Sequence, residues 1–424
     1  MENIAQKEVL EHEANESFDI DKIRNLFPVL HRTYKNHQKL AYLDNAASSQ
    51  MPLSVINRLH RYHQYEHSNV HRSVHTLGEE ATLAYESTRK KIAQFINAKS
   101  DKEIIFTRGT TDSINLVMQS YGKPNVKQGD EILISMLEHH SNIVPWQMLC
   151  EQNGCQLRVI PIDNNGEIKI DKALRLITQR TKIVALTQIS NAIGTINPLE
   201  RIISRAKKVG AVTVIDGAQA IAHTPVNVQQ IDCDFYAFSG HKMYGPTGIG
   251  ILYSKAENYE KMIPYLGGGD MILHVSFDET IYNDPPHKFE AGTPPIAAAI
   301  GLGEAVDFIK NIGFSYIAQH EKQLIEYAHE KMLAINDIKL IGTKNLNNKS
   351  SVVSFVFDDI HAHDVGSLLN SFGVAIRAGH HCAQPVMEYY NVAATSRASF
   401  ALYNTPQEID MLTDAVKEMK NILS

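Results

Sequence analysis

A lysine and an aspartate, each at the end of an apolar run, are the first residues in this sequence that could do chemistry. Lys242 stands on the turn Ser239-Gly240-His241-Lys242-Met243-Tyr244-Gly245-Pro246, just after Asp234-Phe235-Tyr236-Ala237-Phe238. Asp216 closes the run Val212-Thr213-Val214-Ile215, ahead of Gly217-Ala218-Gln219. A lysine at the end of a buried strand among small residues can lose its proton and form a Schiff base, whereas one in an ordinary Gly/Pro loop is simply solvated. Later in the chain, Arg377-Ala378-Gly379-His380-His381-Cys382-Ala383 sets a thiol beside two histidines and near an arginine, a positive setting that favours thiolate. A buried structural cysteine and a Cys/His metal set are the alternatives there. Arg397 could clamp a carboxylate through two parallel hydrogen bonds.

The elements that must position these groups read as short apolar strands alternating with helices from about 100 to 255. That pattern implies a mostly parallel sheet covered on both faces, with ligand groups gathered at one edge. Glu103-Ile104-Ile105-Phe106-Thr107 is such a strand, and Arg108-Gly109-Thr110-Thr111 opens the next helix, either as an anion site or as a plain threonine N-cap. Glu138-His139-His140 follows the strand Asp130–Ser135, and the loop Gln188–Gly194 with Asn191 follows Ile183–Thr187. An acid at one strand end and a lysine at the next suit pyridoxal phosphate. The long Ala/Ile/Leu helix over about 296–312 marks the passage to a smaller α+β unit. The expected organisation is an arm and helix over 1–36 packing with the smaller domain, a large domain over 37–300, and a C-terminal domain over 301–424 carrying the cysteine loop.

The 424 residues are 43% hydrophobic, enough for a large core without disulfide support. A formal charge of −6, with both signs interspersed, argues against nucleic acid and anionic lipid as partners. Neither a membrane-length apolar run nor a secretory layout is present, so the expected compartment is cytoplasmic. The four cysteines are too scattered for a disulfide framework and match no zinc pair. His67, His71 and His75 recur at i, i+4, i+8 and would share one face of a helix, which leaves a metal reading open. No adjacent carboxylate or cysteine pair completes such a site, so a polar loop beside an anionic pocket is the plainer account, and no metal is expected.

Taken in order from about Leu43 to Arg397, these motifs resemble the SufS-type (group II) branch of the pyridoxal-phosphate cysteine desulfurase / selenocysteine lyase family. The Arg-x-Gly-His-His-Cys-Ala run is the specific one; the others are shared with wider aminotransferase-like enzymes. The resemblance implies a fold-type I, aminotransferase class V-like α/β architecture with a seven-stranded-type sheet, and a homodimer. It implies that Lys242 holds pyridoxal 5'-phosphate, Asp216 pairs with the ring nitrogen, Gln219 bonds the phenolic oxygen and His139 stacks on the ring. Thr111, Ser239 and His241 would hold the phosphate, with Thr293 reaching across from a second subunit. Asn191 and Arg397 would fix the substrate carboxylate, with Arg377 and Arg72 as further substrate contacts. Cys382 would take the sulfur of L-cysteine as a persulfide, and is expected to titrate below an ordinary thiol because of Arg377 and His380. Alanine would be the other product, and a SufE-like or SufU-like acceptor would collect the sulfur for iron–sulfur cluster assembly. Two other readings stand beside this one: a selenocysteine lyase, and a non-catalytic Cys/His metal or sulfur carrier. Asp112 stands where that family often has a glutamate, which leaves its role open.

Overall fold

The computed structural model describes residues 19–33 and 39–423, so the first residues of the expected arm lie outside the described part. Among the described residues, fifteen strands follow in chain order. They are β1 (Ala41–Tyr42), β2 (Ile104–Thr107), β3 (Glu131–Ser135), β4 (Gln156–Ile160), β5 (Thr181–Thr187), β6 (Val212–Asp216), β7 (Phe235–Ser239) and β8 (Gly250–Ser254). The rest are β9 (Ile272–Val275), β10 (Thr280–Tyr282), β11 (Lys339–Ile341), β12 (Val352–Val356), β13 (Val374–Ala375), β14 (Arg377–Gly379) and β15 (Thr395–Ser399).

Seven strands form the main sheet in the order β2-β8-β7-β6-β5-β3-β4. Only β8 runs against its neighbours. Because successive side chains of a strand point to opposite faces, β5 sends Val184 and Leu186 into one core and Ile183 and Ala185 into the other. Burial on both faces explains why these strands read as unbroken apolar runs rather than as alternating ones. The carboxyl ends of β2, β3, β5, β6 and β7 therefore share one edge, where Thr187 lies in register with Asp216, and Asp216 with Ala237.

A second, antiparallel sheet has the order β11-β12-β15-β14 and places Arg377 opposite Arg397. The expected 37–300 unit puts the strand before Asp44 with the large sheet. In the structure β1 instead pairs in parallel with β13, and Ala41 and Leu43 are buried in the C-terminal core. The early strand thus crosses to the C-terminal side, bringing Asp44 beside Ser399 of β15. Helix Ile20–Asn25 also docks there, Arg24 reaching the Tyr403 carbonyl at 2.6 Å and Glu408 at 3.1 Å. No described helix is long and apolar enough to cross a membrane.

Candidate active site

Between the sheet edge and the cysteine loop lies a cavity of about 220 Å³. Its walls include Thr111, His139, Asn191, Asp216, Gln219, Ser239, His241, Lys242, Arg377, Cys382 and Arg397. The lysine and the thiol singled out from sequence therefore open into one chamber. Thr293 and Arg72 do not join them: Thr293 lines a separate recess with Tyr85 and Glu290, and Arg72 is largely exposed, paired with Asp270 at 3.3 Å.

Local sequence explains how each group arrives. β6 ends on Asp216, whose Oδ1 accepts the Ala218 N–H at 2.9 Å. The next residue must be glycine, because a Cβ on Gly217 would lie 2.1 Å from the Tyr236 ring. After β7, one tight turn over Gly240–Lys242 delivers the lysine. Loss of solvation lowers the Lys242 pKa, and Arg397 adds to this while Asp216 opposes it. Burial raises that of Asp216 against the pull of Lys242. On the opposite wall, Thr110 of the turn after β2 donates its N–H to Ser239 Oγ at 2.8 Å. That turn can cross so closely because a Cβ on Gly250 would fall 2.3 Å from Gly109 Cα. Asp112 accepts the Arg108 N–H at 3.0 Å and the Tyr265 hydroxyl at 3.0 Å, closing the same turn.

His139 caps the turn after β3. The Ser141 N–H donates to its Nδ1 at 3.1 Å, so the neutral ring carries its proton on Nε2. Burial holds His139 down at about 3 and His241 at about 4, with Lys242 repelling both, so each is uncharged at neutral pH. Gln219 gives its amide to the Ala46 carbonyl at 2.7 Å.

The thiol side is held by backbone contacts. His140 N–H donates to the Cys382 carbonyl at 2.7 Å, and Asn191 Nδ2 donates to the His381 carbonyl at 2.6 Å. His381 and Cys382 both adopt positive φ, 54° and 53°, a conformation that non-glycine residues keep only where surrounding contacts impose it. Cys382 itself is exposed. Arg397 is almost fully buried and gives one Nη to the Asn191 carbonyl at 2.8 Å and the other to Asp44 at 3.3 Å, while its Nε has no partner. Asp44 also pairs with Arg377 at 3.2 Å.

Sequence reasoning missed Asp44. The signal was an acid closing a short strand ahead of small residues, the pattern that drew attention to Asp216. It also passed over Glu138, which is fully buried between Ser135 and Asn142, the latter donating at 2.6 Å. Burial pushes the Glu138 carboxyl from an ordinary 4.5 up to about 8. The folded state then keeps a proton that the unfolded chain releases above its ordinary value, so this residue's share of stability falls as pH rises from about 4.5 to about 8. A glutamine makes the same contacts as the protonated acid without titrating. Glu138→Gln is expected to match the wild type at pH about 4 and to exceed it by a few kcal/mol at pH 8, each pKa unit being worth about 1.4 kcal/mol. Denaturant melts at both pH values check this, and equal stability at pH 8 would refute it.

The "Aminotransferase class-V" family model matches residues 41–412, and the chain belongs to that family. A probable cysteine desulfurase of Staphylococcus epidermidis is 49% identical over 97% of this chain and 99% of its own. A cysteine desulfurase of Escherichia coli O8 is 47% identical over 96% of this chain and its own full length. Among solved structures, an Escherichia coli cysteine desulfurase in its S-sulfonic acid form superposes with a TM-score of 0.88 at 40% identity, over 96% of this chain and all of that one. The apo cysteine desulfurase of Thermococcus onnurineus NA1 gives 0.89 at 38% identity, over 94% of this chain and 97% of that one. Within the class-V family, the chain is a member of the cysteine desulfurases.

Proposed function

We propose that this protein takes the sulfur from L-cysteine, releasing L-alanine and leaving a persulfide on Cys382, with pyridoxal 5'-phosphate as cofactor. What carries the reading is the single chamber that Lys242 and Cys382 share. The residues present fit such a cofactor. Asp216 is a buried acid without an ion-pair partner among the described residues, as expected of a carboxylate awaiting a protonated ring nitrogen. Lys242 would hold the cofactor, Gln219 would meet its phenolic oxygen, His139 would cover the ring, and Thr111, Ser239 and His241 would hold the phosphate. When bound, the cofactor supplies an electron-withdrawing group that makes loss of the substrate α-proton and cleavage of its C–S bond accessible.

The chain's own residues would do the rest. Arg397, steadied by Asp44 and Asn191, would turn its unpartnered Nε to the substrate carboxylate beside Arg377. Lys242 Nζ, its pKa lowered by burial, would move the α-proton. Cys382 Sγ would attack the substrate sulfur: an S–S bond forms, the C–S bond breaks, and its electron pair stays on the substrate β-carbon, which takes a proton to become the methyl of alanine.

A homodimer is part of the proposal. Thr293 and Arg72 lie away from their own chamber, both exposed, Arg72 in its pair with Asp270, and Leu273, Val275 and Phe277 expose apolar surface on the β9–β10 hairpin. Because backbone contacts pin the loop at His381 and Cys382, the sulfur would have to be collected in place, by a SufE-like or SufU-like acceptor that brings its own thiol. A cytoplasmic setting, which keeps thiols reduced, fits the four free cysteines.

The test is to incubate the purified holoenzyme with cysteine and map added sulfur by mass spectrometry. One extra sulfur is expected on Cys382, leaving when an acceptor is added. Absence of that adduct would overturn the desulfurase reading, and an adduct that no acceptor discharges would overturn the transfer step.

A further inference from the structure

The histidine-rich segment is not a helical face. The chain leaves helix Leu53–Arg61 through a π-helical turn at Tyr62–Glu66, and His67, His71 and His75 then follow an irregular path before helix Thr76–Phe95. His71 sits at φ 70°, its N–H bound to Thr82 Oγ1 at 2.9 Å, and this turns its ring away from its sequence neighbours. It meets instead a carboxylate and an imidazole that sequence spacing does not reveal. Glu86 comes from the helix that follows, and His287 from the short turn His287–Phe289.

We propose that His71, Glu86 and His287 form a binding site for a zinc-like divalent transition cation. One ligand atom from each lies within 4.8 Å of the other two. His71 Nε2 is 2.9 Å from Glu86 Oε1, and the rings of His71 and His287 stand 5.1 Å apart at 75°. Two imidazoles with one carboxylate select a borderline-soft metal over magnesium or calcium, which prefer oxygen ligands throughout. A hydrogen bond between His71 and Glu86 alone would not need the third group. The His287 ring makes no hydrogen bond among the described residues, yet it turns toward the other two.

The outer layer suits the purpose as well. Arg89 holds both carboxylate oxygens of Glu86, Nε to Oε2 at 2.8 Å and Nη2 to Oε1 at 3.2 Å, and so orients the carboxylate with Oε1 beside His71. The rest of the Arg89 guanidinium is engaged mainly by Glu290, at 2.7 and 2.9 Å, and by the Ile104 carbonyl at 2.8 Å, which fixes its charge behind the site. The His71 and Glu86 side chains keep 22% and 29% of their exposure, leaving access for the ion and for a solvent ligand in the fourth position. A bound ion would join the segment carrying Arg72 to the one running from His287 through Glu290 to Thr293. Its binding does not depend on the sulfur chemistry.

The experiment uses the chelator-treated holoenzyme. Zinc chloride is titrated by calorimetry, and the zinc-loaded protein is examined by X-ray absorption. One zinc per chain is expected, with a nitrogen- and oxygen-only ligand shell. His287→Phe and His71→Asn, the latter chosen because asparagine accepts positive φ, should each weaken binding by about a hundredfold or more. Zinc should raise the melting temperature of the wild type but not of either variant, which separates loss of a ligand from loss of folding. A sulfur-containing shell, no zinc uptake, or unchanged affinity in both variants would overturn the site.

Discussion

Replacing Lys242 with alanine is expected to abolish alanine release from cysteine, by about ten-thousandfold or more, in a protein that still folds. Among the described residues Lys242 is the only lysine lining the chamber, so no other amine there can take over attachment of the cofactor or proton transfer at the α-carbon. Folding should survive because the native state gains little from this group. Burial lowers its pKa, so the folded protein binds its proton less readily than the unfolded chain does, and the contribution weakens as pH falls. Removing the amine removes that penalty. It also strips Asp216 of the cation that now opposes its upward shift, so the variant should bury a more fully protonated carboxyl. Two readouts are needed: turnover, and the visible absorption of bound cofactor, whose band should vanish. Turnover at wild-type rate in Lys242→Ala would remove the basis of the proposed reaction.

How far the site could be read from sequence depended on the range of the contacts involved. Asp216 and Lys242 were legible because each ends an apolar run, and a strand buried on both faces leaves few places for a charge other than its tip. The adjacency of β6 and β7 follows from the same alternation of strand and helix. Strand direction is not written in such a pattern, and the reversed β8 gave no sign of itself. Contacts spanning most of the chain were equally silent. Asp44 meets Arg377 and Arg397 only because β1 pairs with β13, and nothing local to Ala41–Asp44 announces that partner. The family resemblance assigns Asn191 to the substrate carboxylate; that its amide also donates to the His381 carbonyl is visible only when the two loops face each other. The histidine triplet misled for a local reason: its helical spacing has meaning only if the helix continues, and the π-helical turn at Tyr62–Glu66 ends it. The carboxylate that sequence proximity failed to supply came from Glu86, three turns into the next helix.

Cys382→Ala is expected to separate two chemistries that the chamber can host. With cysteine as substrate, the variant should form no persulfide and release alanine about a thousandfold more slowly or worse, because no other thiol lines the chamber. With selenocysteine, the weaker carbon–selenium bond and the better selenide leaving group lessen the need for nucleophilic attack, so a substantial share of alanine release should persist. Stability should change little: the side chain is exposed, and alanine meets the same positive φ that cysteine already tolerates. The loop should therefore stay in place through the His140 and Asn191 contacts, which are to backbone carbonyls and do not involve the thiol. Measuring alanine from both substrates, with wild type and variant side by side, decides the matter. Loss of cysteine turnover alone assigns the thiol to sulfur extraction, whereas equal loss with both substrates would make it general to the reaction. Undiminished cysteine turnover would show that sulfur leaves without Cys382, and the persulfide step would have to be abandoned.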